Sequence, residues 1–295
     1  MSIEIKRRSL LGIGLGAMAL PVVGSLAAPA IASSEPVRFA VGPFLPTTDD
    51  TRKEWEPMFD GFARTLGRPY KLAVTSDWAG ISIALASGQA DYGFVGPFGY
   101  ILAKKRAKML PLAVSMVNES PTYKGIIVAR KGLDIKKFPD DAKGMRISFA
   151  DQASTTGWLV PSFWFKQQGI DPKTYFKYRD GATHAANEVA VASGQVDLAT
   201  DNDRNRRIMI EKGVIEEEDC VIVWESDPVP NSLMAGRAAA DPGLTAELKA
   251  ALLAITPEMA AEIMPKNFTG WAETKDSDYD VIEQAAVALG QIKAS

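Results

Sequence analysis

The 295-residue sequence sets 33 Lys and Arg against 36 Asp and Glu, a formal net charge of −3, and contains one histidine and one cysteine. Such an acidic chain argues against nucleic acid or an anionic membrane surface as its partner. A lone Cys220 and a lone His184 give no material for an intrachain disulfide, a thiolate or histidine zinc site, or an iron–sulfur centre, so neither metal nor cofactor is expected.

In chain order, residues 1–32 read as a leader. "IKRRSLLGIGLGAMALPVVGSLAAPAIA" has a basic start, an apolar run from Leu10 to about Val23, and a small-residue cleavage pattern at Ala30-Ile31-Ala32. Arg7-Arg8 before Ser9-Leu10-Leu11 resembles a twin-arginine export signal, so the cleaved chain is expected in the periplasm, without membrane insertion of its own. Removing Glu4, Lys6, Arg7 and Arg8 takes the formal charge to −5. The remaining length suits one large domain or two of roughly 100–150 residues.

The chain then spells one unit twice. "VRFAVGPFLPTTDDTRKEWEPMFDGFARTLG" predicts strand, loop and helix. "SDWAGISIALASGQADYGFVGP" (Ser76–Pro97) follows, predicting a helix capped by Asp77 and closed by Gly88, then a strand over Tyr92–Val95. Farther on, "MRISFADQASTTGWLVPSFWFKQQGI" repeats a strand near Arg146–Phe149, a loop and a helix from about Thr156. "ATHAANEVAVASGQVDLATDND" (Ala182–Asp203) repeats the capped helix with Thr183 and Gly194, and a strand over Val196–Ala199. The hexapeptides "ASGQAD" and "ASGQVD" agree at five of six positions and set the offset at 106 residues.

This alternation predicts an α/β fold of mostly parallel sheets with helices on both faces. The chain crosses between halves through Pro121 and Gly125 into Ile126–Val128, and returns through Pro228 and Pro230. The expected division is lobe 1 at residues 33–125 with 232–295 and lobe 2 at 126–231, hinged as a clamshell. Helices over Pro242–Ala254, Pro257–Met264 and Ser277 to about Ile292, the last capped by Asp276, return to lobe 1.

In sheets of this kind ligands bind outside the carboxyl ends of the strands. "DQASTTG" (Asp151–Gly157) puts Ser154, Thr155 and Thr156 at a helix start, where hydroxyls, free N–H groups and the helix dipole favour an anion. A plain N-cap needs only one such residue. The offset pairs Trp78 with His184, each one residue after an N-cap, so the two are expected to face each other across the cleft. Asp201, Asp203 and Arg204 follow the second strand and either line the cleft or pair locally; a loop around Thr47 and Thr48 is expected to close with Trp78.

At these residues the chain resembles the phosphonate-binding family of periplasmic solute-binding proteins, the capture components of phosphonate and phosphite ABC importers. "DWAGI", "STTGWLVP" (where the family has S-T-S-G), "THAANEVAVASGQVDLAT", "VIVWESDPVP" and "SDYDVI" carry the resemblance. It implies a two-lobed type II periplasmic-binding-protein fold with two crossover strands and no catalysis. It also implies a tetrahedral oxyanion held by Ser154, Thr155, Thr156 and His184 against an aromatic wall at Trp78, and a monomer delivering it to an ABC permease. Where the family's amine-bearing phosphonate binders have carboxylates, this sequence has Arg204 and Ser232. The expected ligand is therefore amine-free: phosphite, methylphosphonate or a related phosphonate or phosphate.

Two rival readings remain at this level. A sensor subunit presenting an oxyanion, or arsenite through Cys220, to a histidine kinase is one; "DCVIVW" instead suggests a core cysteine. The other is a hydrolase built from Ser154, His184 and Asp201, without any G-x-S-x-G elbow to support it.

Overall fold

The computed structural model describes residues 35–45 and 47–294, so the expected leader lies outside the described residues. The strands are β1 (Val37–Val41), β2 (Tyr70–Val74), β3 (Tyr92–Val95), β4 (Met109–Val117), β5 (Thr122–Tyr123), β6 (Gly125–Arg130), β7 (Arg146–Ala150), β8 (Lys177–Ala182), β9 (Leu198–Asn202), β10 (Cys220–Glu225), β11 (Val229–Pro230), β12 (Leu233–Arg237) and β13 (Phe268–Ala272). The helices are α1 (Thr48–Leu66), α2 (Trp78–Ser87), α3 (Pro97–Arg106), α4 (Val160–Gln167), α5 (Pro172–Tyr175), α6 (His184–Ala192), α7 (Asp203–Glu211), α8 (Pro242–Leu253), α9 (Pro257–Ile263) and α10 (Asp280–Ala288).

Two sheets carry the two lobes. One has the order β13-β4-β12-β3-β1-β2 and the other β10-β6-β9-β7-β8. In the first, β1 runs parallel to β2 and β3 while β12 is antiparallel to β3. In the second, β7 runs parallel to β8 and β9 while β6 is antiparallel to β9. Each sheet thus holds a parallel three-stranded unit followed by one antiparallel strand that has crossed from the other half, with β4 and β13 extending the first sheet and β10 the second. The crossings β5 and β11 pair with each other, Tyr123 against Val229 and Thr122 against Pro230. This is the two-lobed type II architecture that the sequence predicts.

The repeat is visible atom by atom at the helix ends. Asp77 caps α2 by accepting from Gly80 N at 2.7 Å, and Thr183 caps α6 by accepting from Ala186 N at 3.1 Å. Gly88 and Gly194 take φ of 79° and 74°, the left-handed region that closes a helix without a Cβ clash. Behind them Ala90 N donates to Ala84 O and Val196 N to Ala190 O, the same six-residue closure twice. Val196 therefore belongs to the helix end, and the second strand begins two residues later than expected, at Leu198.

Three apolar cores hold the molecule. One fills the first lobe around Phe39, Trp55, Phe59, Phe94 and Trp271, and a smaller one fills the second around Ile126, Val128, Val191 and Met209. The third runs from α2 and α3 to Phe149, Leu159 and Phe165 and includes Ile282 and Ala286 of α10. The tail packs on both lobes, not on the first alone: α10 contacts α3 and α4 alike. Asp276 does not cap it. Its carboxylate accepts from Tyr100 Oη at 2.7 Å and from Lys104 Nζ at 2.6 Å, tying the tail to α3, and Asp278 accepts from Lys275 N instead.

Candidate functional site

A cavity of about 50 Å³ lies where the chain leaves β1, β3, β7 and β9. A single water needs about 10–15 Å³ of such space, so a compact anion has room. The lobes meet around it. Phe98 N of α3 donates to Thr155 Oγ1 at 2.9 Å, Lys212 pairs with Glu54 at 3.3 Å, and Lys266 pairs with Glu211 at 3.1 Å.

Its second-lobe wall begins with a π turn over Thr155–Leu159 that leads into α4. Ser154 caps the turn: its Oγ accepts from Gly157 N at 3.1 Å, and Leu159 N reaches back to Ser154 O at 3.1 Å. The first N–H groups of a helix have no intrahelical acceptor, so this start offers donors to an anion. Gly157 makes the packing possible. A Cβ there would press on the Ala150 side chain and stand 2.8 Å from His184 Cε1 and 2.9 Å from Ser154 Oγ. The Tyr123 hydroxyl stands beside the hydroxyls of Thr155 and Thr156.

His184, 8% exposed, is the first residue of α6 and lines the same cavity. Its Nε2 faces Ser154 Oγ at 2.9 Å and its Nδ1 faces Asp201 Oδ1 at 2.8 Å. Asp201 is fully buried and also accepts from Asn205 Nδ2 at 2.8 Å. Asn202 Nδ2 also stands 3.3 Å from the same Nδ1 and 3.4 Å from Asp201 Oδ1. Burial, then the Arg204 charge, hold the imidazole down at about 4, while burial lifts Asp201 to about 7. The imidazole is neutral at neutral pH. Below the pair, Glu188 is pushed up to about 9 by burial and then by Asp201, so it stays protonated.

Ser154, His184 and Asp201 line up as in an acyl-transfer triad. The Ser154 oxygen, however, is engaged as a helix cap, accepting from Gly157 N.

Arg204, 9% exposed, projects from the first turn of α7 into the cavity. The rings of Phe44, Tyr123 and Phe268 surround its guanidinium at 5.8, 5.0 and 5.7 Å, and Nη1 donates to Asn231 Oδ1 at 2.5 Å. Of the two open readings, it lines the cleft. The first lobe contributes mainly apolar surface: Trp78 begins α2, with Phe44 edge-on to it at 5.0 Å. The indole N–H of Trp78 is buried without a hydrogen-bond partner among the described residues.

Six expected site residues thus line one cavity: Trp78, Ser154, Thr155, Thr156, His184 and Arg204. Asp201 stands behind His184. Thr47 and Thr48 are exposed and stand away from the cavity. Thr47 caps α1, accepting from Asp50 N at 3.0 Å, so its oxygen serves the helix while Pro43, Phe44 and Leu45 enter the cavity earlier in the chain. Ser232 lines the cavity where an acid was thought absent, but Glu54, unforeseen, also reaches it and is paired with Lys212. Asn202 and Tyr123 were missed as well. Asn202 had a signal, since the offset aligns it with Gly96 and both line the cavity. Cys220 is fully buried with its thiol held up by burial and donating to Glu188 O at 3.5 Å, a core residue.

Residues 43–279 match the family model described as ABC transporter, phosphonate, periplasmic substrate-binding protein. The chain is 25% identical over 268 residues to the phosphate-import protein PhnD of Mycolicibacterium smegmatis, covering 83% of this chain and 84% of that one. It is also 25% identical over 183 residues to the phosphonates-binding periplasmic protein of Escherichia coli, covering 61% of this chain and 54% of that one. A binding-protein component of an ABC phosphonate transporter from Pseudomonas aeruginosa superposes with a TM-score of 0.79 at 22% identity, over 87% of each chain. PhnD1 of Prochlorococcus marinus in complex with methylphosphonate gives 0.77 at 17% identity, over 87% of this chain and 98% of that one. The chain belongs to the phosphonate family of periplasmic substrate-binding proteins of ABC transporters, a carrier for a permease and not an enzyme.

Proposed function

We propose that the chain, as a monomer, captures a small amine-free tetrahedral oxyanion and delivers it to its permease. Phosphite, methylphosphonate and related phosphonates or phosphate are the candidates. Ser154, Thr155, Thr156 and His184 hold the oxygens, Trp78 walls the opposite side and Arg204 supplies positive charge. Residues 33–125 with 232–295 form the lobe that closes over lobe 2, residues 126–231. The observation that carries this reading is the convergence of the Ser154–Thr156 helix start, His184 and a buried cation on one cavity.

The ligands in the names of two similar proteins, phosphate and methylphosphonate, belong to the same chemical class. An ammonium group is disfavoured, because Arg204 repels it and Glu54 is already paired with Lys212. Charge-assisted hydrogen bonds at about 1.5–3 kcal/mol each supply micromolar affinity, about −8 kcal/mol, after ordering and desolvation.

A thermal-shift panel of phosphite, phosphate, methylphosphonate, 2-aminoethylphosphonate and arsenate on the chain from Ser33 tests it. Ligands that bind only the folded state raise the melting point in order of affinity at equal excess. The amine-free anions are expected to give the larger shifts; the largest shift from the aminoethyl compound would refute the amine-free assignment.

A further inference from the structure

Arg204 has five N–H donors, more than its contacts within the chain use. It is nine-tenths buried and lines the cavity, yet no Asp or Glu among the described residues forms an ion pair with it. Its one side-chain hydrogen bond goes to a neutral amide oxygen, and three aromatic rings stand around the guanidinium. Burying a guanidinium without a counter-charge is strongly unfavourable unless something else supplies the anion. Nearby donors point the same way: Asn231 Nδ2 and Trp78 Nε1 are both buried without a partner. The Ser154–Thr156 turn is a separate set of donors, with its own hydroxyls, N–H groups and His184. Between the two sets stands Tyr123, whose hydroxyl lies beside Thr155 and Thr156 while its ring lies 5.0 Å from the guanidinium. Tyr123 thus contacts both sets.

We infer that this site takes a ligand with two acidic groups: a phosphonate head at Ser154–Thr156 and His184, and a carboxylate one or two bonds from phosphorus at Arg204 and Asn231. A planar guanidinium matches a carboxylate bidentately, which an ammonium or a ring face does not. The inference rests on the oxyanion reading above and narrows it to carboxylated phosphonates, with methylphosphonate and phosphite as weaker ligands.

Isothermal titration with phosphonoformate, phosphonoacetate, methylphosphonate, phosphite and phosphate tests this on the wild-type chain, Arg204→Gln and Asn231→Asp. The second variant gives the guanidinium a partner of its own and serves if Arg204→Gln fails to fold. Wild type is expected to bind a carboxylated phosphonate at least tenfold more tightly than methylphosphonate. Either variant is expected to cost the carboxylated phosphonates at least tenfold more affinity than it costs methylphosphonate. Equal losses for every ligand would overturn the inference by leaving Arg204 to the head group alone, as would tightest binding by phosphate. If wild type binds phosphate or methylphosphonate but no carboxylated compound, this inference alone falls. If it binds none of the five, the oxyanion reading falls with it.

Discussion

In the first half of the chain Arg38 forks onto Asp91 through contacts of 2.8 and 2.5 Å, and Arg237 stands 3.8 Å from the same carboxylate. In the second half Arg146 forks onto Asp197 at 3.0 and 2.7 Å, with Arg130 at 3.6 Å. Each aspartate ends its hexapeptide; each first arginine comes from the leading strand, and each second arginine from the strand that crossed over. The other end of the unit is different. At the offset of 106, Val95 faces Asp201, Gly96 faces Asn202, Phe98 faces Arg204 and Trp78 faces His184. Away from the cavity the two copies keep the same contacts. At the carboxyl ends of the strands the first copy became apolar and aromatic, and the second polar and charged. In the proposed site an anion would thus meet donors on one side and apolar surface on the other.

The sharpest way to break this comparison is to remove the donors of one half and the ring of the other. His184→Ala and Ser154→Ala are each expected to lower oxyanion affinity tenfold to a hundredfold, about 1.5–3 kcal/mol for a charged hydrogen bond. Trp78→Ala is expected to lower it less. Titration calorimetry reads all three, and a larger loss at Trp78 would reverse the assignment of roles.

A second comparison uses the glycines beside the cavity. Gly157→Ala places a methyl against Ala150, His184 and Ser154, whereas at Gly96 the nearest atom is Thr155 Oγ1 at 3.4 Å. Overpacking of this kind costs about 1–3 kcal/mol. Gly157→Ala is expected to lower the melting temperature and weaken binding together, with Gly96→Ala near wild type in stability. Equal melting points for the two variants would show that the turn yields to the methyl.

The smallest effect tests the shared contacts. The Arg146 hydrogen bonds hold the Asp197 carboxyl down at about 2, below its unfolded value of about 3.9. A carboxylate whose folded pKa is lowered stabilises the fold above its unfolded pKa, and that contribution fades as pH falls from about 5 to 2. Water around Arg146 screens the pair, so Asp197→Asn is expected to cost about 1 kcal/mol at pH 7. The gap to wild type in denaturant melts should close toward pH 2. Asp91→Asn should show a comparable cost at pH 7. A large cost in only one of the two would mean that the copies no longer share this support.

Much of the fold was legible because its signals are local. Asp77, Thr183, Gly88 and Gly194 announce helix ends through their own backbone chemistry, and a repeated hexapeptide needs no tertiary knowledge to align. The same alignment brought Trp78 and His184 to one cavity, and the stretch DQASTTG pointed by itself to Ser154, Thr155 and Thr156. Where the reading failed, the competing partner was distant in sequence. Asp276 looks like a cap until Tyr100 and Lys104 arrive from α3, and Thr47 and Thr48 look like a binding loop until Thr47 is seen capping α1 through Asp50.

By itself, then, the sequence determined the two copies of an α/β unit, their crossings and the Ser154-capped helix start, since spacing and capping are written within a few residues of each. Only the tertiary structure decided that Arg204 turns inward among Phe44, Tyr123 and Phe268, that Asp201 stands behind His184, and that α10 packs on both lobes. A buried charge or a shared helix is defined by what surrounds it, and those neighbours come from segments far apart in the chain.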